Sequence, residues 1–308
     1  ANVDTLSAVG SALAPLSNLA QKLPGTRAVA EKTLGIARER TLPTFQRETV
    51  VKWDRQRASD VSAENAERRV LLLPDTYTNY SRPEAGKAAV EVLEAANVHV
   101  EVPTELTDSG RAAFSKGFLE KARETARENV AELAPRVEDG WEIVVVEPSD
   151  AVMYQSDYLD LLGDTDDSAA AETVAENTYG VLEYLDVHRL DDDIAFAAPE
   201  ESLTYHGHCH QKATAKDHHA VGVLRRAGYR VDPLDSGCCG MAGSFGYEAE
   251  HYSMSRAIGE ILFDQVEDSD GERVVAPGAS CRTQLGDRHG ADAEPPHPIE
   301  SVAAALSD

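Results

Sequence analysis

The chain has 308 residues, 42% of them hydrophobic, which is enough for one large domain or two of ordinary size, each with a buried core. Its 54 acidic and 29 basic residues give a net charge of −25, which repels phosphate backbones and excludes nucleic acid as an expected partner. No run approaches the roughly 18 apolar residues of a membrane span, and the first residues lack the pattern of a secretory signal.

The acidic residues are spread along the chain, as in proteins of a high-salt cytoplasm, where salt screens the self-repulsion. A binding surface for a basic partner is the alternative interpretation. Four cysteines in a chain of this length do not make a secreted disulfide framework. We therefore expect a cytoplasmic, halophilic protein whose thiols serve metal, cluster or redox chemistry.

Residues 1–68 are predicted to be helical and irregular, and strands and helices alternate from Val70 onward. The predicted strands lie at 70–74, 98–102, 141–148, 202–206, 229–234 and 272–277. The predicted helices lie at 82–97, 113–134, several places within 151–186, 214–228, 247–266 and 298–307. This alternation predicts an α/β fold with parallel sheets flanked by helices.

Three short motifs occur twice, about 131 positions apart. The first copies are LLLPDTY, DSGRA and EPSD, and the second copies are LTYHGHC, CCGMA and APGASC. Three landmarks with one spacing indicate an internal duplication. We predict two tandem repeats related by a pseudo-twofold axis, at 69–187 and 188–308, after a helical connector at 1–68. Only the second repeat carries cysteines, and the matching positions of the first hold Tyr77, Asp108, Ser109 and Asp150.

The four cysteines each follow a predicted strand or lie in the glycine-rich loop SGCCGMAGSFG. Loops at the carboxyl ends of parallel strands converge on one edge of a sheet, so the thiols are expected to meet there. Thiolates bind soft metals and iron–sulfur clusters. Adjacent cysteines suit a cluster better than one tetrahedral metal, because each can bind a different iron. The predicted ligands are Cys209, Cys238, Cys239 and Cys281.

Two alternatives stay open for these cysteines. One is a zinc site, and the other is a thiol–disulfide protein that uses the Cys238–Cys239 pair. Histidines cluster nearby, and His208 or His210 is a possible auxiliary ligand or hydrogen-bond donor. If 206–210 is extended, alternate residues share a face, so the histidines and Cys209 point in opposite directions.

The first repeat offers other side chains at the vacated positions. Asp108 and Asp150 can form a carboxylate pair, although a relic of a lost site is the favoured interpretation. Arg111 and Glu147 lie beside them in the sequence and are expected to pair with each other.

The motifs HCHQKA, GCCGMAGSFGYE and SCRTQ resemble those of the cysteine-rich CCG domain. That domain occurs in the B subunit of heterodisulfide reductase, in the C subunit of anaerobic glycerol-3-phosphate dehydrogenase, and in FAD-linked D-lactate or glycolate oxidoreductases. The resemblance covers about 69–307 and is greatest to the C-terminal iron–sulfur part of the FAD-linked 2-hydroxyacid enzymes. Gly278 stands where the fullest family pattern has a fifth cysteine.

The resemblance implies an iron–sulfur electron-transfer subunit, or the C-terminal domain, of a flavin-linked oxidoreductase acting on a small 2-hydroxy acid or glycerol 3-phosphate. It implies a cluster of the 4Fe-4S type on the four cysteines, with zinc as the alternative, and FAD only on a partner. A ferredoxin-like iron–sulfur domain is a further expected partner, and a quinone or a thiol is the expected electron acceptor. By itself the chain is expected to have no turnover. It is expected to lie in the cytoplasm, or peripherally at the inner face of the membrane through a partner.

Overall fold

The computed structural model describes residues 3–23, 25–104, 106, 108–288 and 293–307. Two parallel sheets are present in these residues, with the strand orders β2-β1-β3-β4 and β6-β5-β7. The strands are β1 Arg68–Leu73, β2 Val98–Glu101, β3 Glu142–Val145, β4 Thr178–Gly180, β5 Ser202–Tyr205, β6 Arg230–Pro233 and β7 Arg273–Val275. The predicted α/β class with parallel sheets is confirmed.

Helices follow almost every strand. Those of the amino-terminal segment are α1 Val3–Ala12, α2 Leu16–Lys22, α3 Thr26–Leu34 and α4 Val50–Asp54. Those around the first sheet are α5 Thr76–Tyr80, α6 Pro83–Ala95, α7 Arg111–Ser115, α8 Leu119–Glu138, α9 Pro148–Val152, α10 Tyr158–Leu162, α11 Ser168–Glu176 and α12 Val181–Val187. Those around the second are α13 Cys209–Ala213, α14 His218–Arg226, α15 Tyr252–Glu267, α16 Ala279–Gly286 and α17 Pro298–Ala304.

Three shorter helical turns complete the described structure: the π-helical turn Met153–Asp157 and the 3₁₀ turns Leu190–Asp192 and Phe245–Tyr247. No helix in the described parts of the chain has the length and hydropathy needed to cross a membrane.

The strands of the first sheet are buried on both faces. In β1, Val70 and Leu72 pack into one apolar cluster, and Leu71 and Leu73 pack into another on the opposite side. This alternation follows from the two-residue period of a strand. A strand covered by helices on both faces is therefore a continuous apolar run, as the sequence VLLL shows.

One apolar cluster joins the two sheets. It contains Val70 of β1 together with Leu203 of β5 and Val275 of β7. Helix α17, at the end of the described chain, packs against α6 of the first half. The two halves thus share a core. The order β2-β1-β3 matches β6-β5-β7, but the duplication, its pseudo-twofold axis and the boundaries 69–187 and 188–308 remain predictions.

The amino-terminal segment is fastened to the second half. Residues 35–40 lie against the end of the glycine-rich loop, where Ala37 N–H donates to the carbonyl of Tyr247 at 2.7 Å. The Arg40 side chain is fully buried and donates through Nε to the carbonyl of Gly246 at 2.7 Å and through a terminal nitrogen to Ser255 Oγ at 2.5 Å. Its guanidinium also pairs with Asp287 at 3.1 Å. The sequence pattern gave no indication of this anchor.

Candidate metal centre

Cys209 is the first residue of α13, and three residues separate it from the carboxyl end of β5. Strand β5 ends at Tyr205, so 206–210 is not extended throughout, and the alternation of faces considered from the sequence does not apply. His208 is the N-cap of α13, and its Nδ1 accepts a hydrogen bond from the His210 backbone N–H at 3.3 Å. The backbone N–H groups of Cys209 and His210, in the first turn of this helix, lower the pKa of the Cys209 thiol, but burial and the Cys238 thiol outweigh them.

Cys238 and Cys239 lie in the loop between β6 and the 3₁₀ turn Phe245–Tyr247. Gly240 has a φ of +90°, and a Cβ there would lie 2.5 Å from the carbonyl oxygen of Ser255. Glycine is therefore required at this position for both conformation and space. The tight turn that results lets Gly240 N–H donate to Cys238 Sγ at 3.3 Å.

Cys281 lies in the first turn of α16, and Gly278 is the N-cap of this helix. Glycine has no side chain that could cap the helix. Glu147 of the first half does so instead, because its carboxylate accepts a hydrogen bond from Ala279 N–H at 2.8 Å. Burial, followed by the negative charge of Asp75, raises the pKa of Glu147 to about 7, against the lowering effect of the Ala279 N–H. A carboxylate of the cysteine-free half thus holds the helix that carries a cysteine.

The four thiols form one connected group. Burial and the neighbouring Cys238 thiol raise the pKa of Cys209. Hydrogen bonding to Cys239 and burial raise the pKa of Cys238. At Cys239, the hydrogen bond to Cys238 lowers the pKa, but the hydrogen bond to Cys281 and burial outweigh it and leave the pKa raised. The protein therefore brings the four predicted ligands together from three separate segments.

Two thiols face outward and two face inward. Cys209 and Cys238 are exposed, whereas Cys239 and Cys281 are 5% and 2% exposed. The group thus lies at the surface of the molecule, with its inner side in the apolar cluster around Met241, Leu262 and Phe263. A centre in this position is accessible to a second protein from one side only.

The spacing of the thiols bears on the kind of metal they can hold. A tetrahedral zinc ion with sulfur ligands at about 2.3 Å holds those sulfurs about 3.8 Å apart. Among the described residues, three or more metal-ligating atoms lie within 4.8 Å of one another only in Asp186–His218–His219 and Glu248–Glu250–His251, and neither group contains cysteine. No three of the four thiols, all of them in the described part of the chain, therefore lie within 4.8 Å of one another in this structure. Binding to different irons of one cluster tolerates this wider spacing.

The space beside Gly278 is filled by His208. A Cβ at position 278 would overlap Cδ2 of the His208 ring and lie 3.1 Å from its Nε2. The backbone of Gly278 has a φ of −82°, which any residue can adopt, and the three atoms nearest to a Cβ there all belong to the His208 ring. This explains in physical terms why a fifth cysteine is not accommodated at 278 while His208 occupies its present place.

We expect Gly278→Ala to destabilise the metal-free protein by about 1–3 kcal/mol, because the new methyl group must displace the buried His208 ring. The double variant Gly278→Ala/His208→Ala, which removes the ring, should recover part of that loss. Unfolding in urea measures both effects. Gly237→Ala is the matched control, since a Cβ at Gly237 meets nothing within 4 Å. A Gly278→Ala protein as stable as the parent would contradict this account of the position.

The two histidines predicted as auxiliary ligands lie beside the thiols but have different surroundings. His208 accepts a backbone hydrogen bond through Nδ1, so its Nε2 carries the proton of the neutral ring, 3.9 Å from Glu147. Burial, followed by the neighbouring His210, lowers the pKa of His208 to about 3. His210 keeps a buried Nδ1 without a hydrogen-bond partner among the described residues. These contacts favour a capping role for His208, and ligation by either histidine remains a proposal.

At the equivalent edge of the first sheet, Asp75, Asp108 and Asp150 are among the residues that line a cavity of about 290 Å³. Asp108 accepts from Gly110 N–H at 2.7 Å, and Asp150 accepts from the Ser109 hydroxyl. The expected pairing of Arg111 with Glu147 is wrong. Arg111 pairs with Asp157 at 2.6 Å, because that carboxylate on the following π-helical turn lies within its reach, while Glu147 is engaged by Ala279.

Comparison with known proteins identifies the segment that carries the thiols. Residues 203–286 match the model of the cysteine-rich domain CCG. This segment contains all four cysteines, most of β5, the strands β6 and β7, and all of α16. The predicted resemblance to that domain is confirmed for these residues, which make up about a quarter of the chain.

Three curated relatives are similar over longer stretches. The C subunit of anaerobic glycerol-3-phosphate dehydrogenase from Escherichia coli (strain K12) is 27% identical over 310 residues, covering 99% of this chain and 76% of the relative. D-2-hydroxyglutarate dehydrogenase of the same strain is 26% identical over 97% of this chain, which spans only 30% of that protein. Lactate utilization protein A of Geobacillus kaustophilus (strain HTA426) is 26% identical over 67% of this chain and 84% of the relative.

Proposed function

We propose that the chain is an iron–sulfur electron-transfer component of an oxidoreductase whose substrate is a small 2-hydroxy acid or glycerol 3-phosphate. The observation that carries the proposal is the group of four thiols, which three separate parts of the chain bring together at the protein surface. All four lie within residues 203–286, which match the cysteine-rich domain. Supporting it are the relatives, which are named as a subunit of one dehydrogenase, as another dehydrogenase, and as a lactate utilization protein.

In this proposal Cys209, Cys238, Cys239 and Cys281 hold one cluster, of the 4Fe-4S type. Such a cluster accepts and donates single electrons. The chain holds Cys209 and Cys281 in the first turns of α13 and α16, directs the Gly240 N–H at Cys238, and buries the inner pair of thiols. Backbone donors of this kind favour thiolates over thiols and stabilise a negatively charged cluster.

The electron donor in this proposal is an FAD-containing dehydrogenase domain or subunit, acting through a ferredoxin-like iron–sulfur domain. The acceptor is a quinone or a thiol-type compound. The exposed Cys209–Cys238 side of the centre is the surface at which either partner approaches. We further propose that the protein lies in the cytoplasm, where a partner attaches it to the inner face of the membrane.

A zinc-stabilised module without redox chemistry is the second candidate. The nearby histidines favour it, because imidazole and thiolate together are common zinc ligands. The wide spacing of the four thiols argues against it. A thiol–disulfide protein is the third candidate, favoured by the adjacency of Cys238 and Cys239.

Stepwise reduction of anaerobically prepared protein separates these functions. We expect a broad visible absorption band that bleaches with dithionite and returns on reoxidation, with an EPR signal in one of the two states. A colourless protein that contains zinc and shows no EPR signal in either state would overturn the proposal in favour of zinc. A colourless, metal-free protein with a reducible 238–239 disulfide would favour thiol exchange.

The acidic composition leads to a separate proposal, that the protein is adapted to high salt. With a net charge of −25, the folded chain repels itself, and salt screens that repulsion. We expect the unfolding temperature of the metal-free protein to rise by at least about 5 °C, or roughly 2 kcal/mol, between 0.1 and 2 M KCl. Thermal unfolding followed by circular dichroism measures the shift. An unchanged or falling unfolding temperature would contradict the proposal.

A further inference from the structure

His206 lies three residues before Cys209, at the carboxyl end of β5, and is 1% exposed. Its Nδ1 lies 2.6 Å from the hydroxyl of Ser236, two residues before Cys238. Its Nε2 is buried and has no hydrogen-bond partner among the residues that the structure describes. Leaving a buried polar group unpaired costs about 1–3 kcal/mol, so this nitrogen requires a partner that the described side chains do not provide.

The hydrogen bonds around Ser236 decide which ring nitrogen carries the proton. Lys212 Nζ donates to Ser236 Oγ at 3.1 Å and also to the Ser236 carbonyl. A lysine ammonium group can only donate, so the hydroxyl accepts from it. The hydroxyl proton of this 5% exposed serine then has His206 Nδ1 as its acceptor. Since no other acceptor for that hydroxyl proton is found among the described residues, Nδ1 is assigned as its acceptor; the neutral ring then carries its own proton on Nε2, and the unpaired atom is a donor.

The ring is also close to the thiols. Burial and then the Lys212 charge lower the pKa of His206 to about 4, while Cys238 acts in the opposite direction. Among the smaller influences on Cys238, His206 lowers the pKa of that thiol. The hydrogen bond to Ser236 thus fixes the His206 ring against the start of the loop that carries Cys238, with its buried Nε2 unpaired among the described residues.

We propose that His206 donates a hydrogen bond from Nε2 to a sulfur atom of the iron–sulfur centre, and that Lys212 and Ser236 hold the ring in the tautomer that permits this. The proposal rests on the function proposed above. Hydrogen bonds to cluster sulfurs raise the reduction potential, because they stabilise the more negative, reduced form. His206 is therefore a residue that sets the potential of the centre without binding iron.

Two substitutions at this position separate the donor from the rest of the side chain. His206→Asn keeps a polar group near the Nδ1 position, facing Ser236, but has nothing at the Nε2 position. His206→Gln places an amide N–H near the Nε2 position. Ser236→Ala removes the hydroxyl that fixes the ring. His251→Asn is the matched control, at a histidine that follows the glycine-rich loop in the sequence and pairs with Glu248.

A redox titration followed by EPR on the anaerobic, iron-loaded proteins measures the effect. We expect His206→Asn to keep its iron and sulfide but to lower the reduction equilibrium constant about tenfold, which is 59 mV for a one-electron couple. His206→Gln should recover at least half of that shift, Ser236→Ala should shift the potential the same way by less, and His251→Asn should not change it. A parental potential in His206→Asn, or equal shifts in the Asn and Gln variants, would overturn the proposal.

Failure of the proposed function is distinguishable from failure of this inference. If the parent protein itself binds no iron and sulfide, the proposed function fails first. Nitrogen-15 NMR of the histidine rings in the metal-free protein then tests the inference separately. A proton on Nε2 of His206 is the expected result, and a proton on Nδ1 would overturn the hydrogen-bond assignment.

Discussion

Replacing Cys239 with serine is expected to reduce the iron and sulfide bound per chain at least about tenfold. Loss of a residue that only supports a metal ligand already lowers metal affinity about 10- to 100-fold, and loss of a ligand should cost at least as much. Cys239 is the inner thiol that links Cys238 to Cys281, so its loss breaks the ligand group in the middle. The measurement is iron and acid-labile sulfide in anaerobically purified protein.

Ser109→Ala is the matched control for the cysteine variant. Ser109 stands at the position of the first half that matches Cys239, and its hydroxyl donates to Asp150 rather than to a thiol. This control should keep the full complement of iron and sulfide. Iron and sulfide in Cys239→Ser equal to those of the parent would refute the ligand assignment.

Replacing Arg40 with methionine is expected to lower the free energy of unfolding by about 3–5 kcal/mol, because it leaves a buried, charged network without its cation. The lost contacts are those to Gly246, Ser255 and Asp287, and the Gln284 side chain loses its donor as well. Urea unfolding of the metal-free protein measures the loss. We also expect less iron to be retained, since Arg40 holds the end of the glycine-rich loop.

Arg38→Met is the control for Arg40, because Arg38 is 56% exposed and pairs with Glu31 at the surface. An exposed pair of this kind contributes little to stability, so this variant should unfold nearly as the parent does. If Arg40→Met cost no more than Arg38→Met, residues 35–40 would not be an anchor for the second half.

The alternation of apolar and amphipathic runs predicted the fold class well. The strands at 70–74, 141–148 and 272–277 were predicted within a few residues because each is a short apolar run bounded by polar or turn residues. Strand β4, Thr178–Gly180, was missed inside a segment predicted as helical, because three residues give no recognisable period.

The sequence predicted which cysteines form the candidate centre, but not the side chains that hold their loops and helices in place. Cys209, Cys238, Cys239 and Cys281 were identified because scarce thiols follow parallel strands. His206, Arg40 and Glu147 act through contacts between segments far apart in the chain, which no local pattern reveals. The segment 206–210 was misjudged for a related reason, since its helix begins where the His208 cap permits it.

The most direct test of the account is the iron, acid-labile sulfide and zinc content per chain of protein produced and purified without oxygen. We expect about four iron and four sulfide per chain with little zinc, as for one cluster of the 4Fe-4S type on four thiolates. One zinc per chain without sulfide would contradict it.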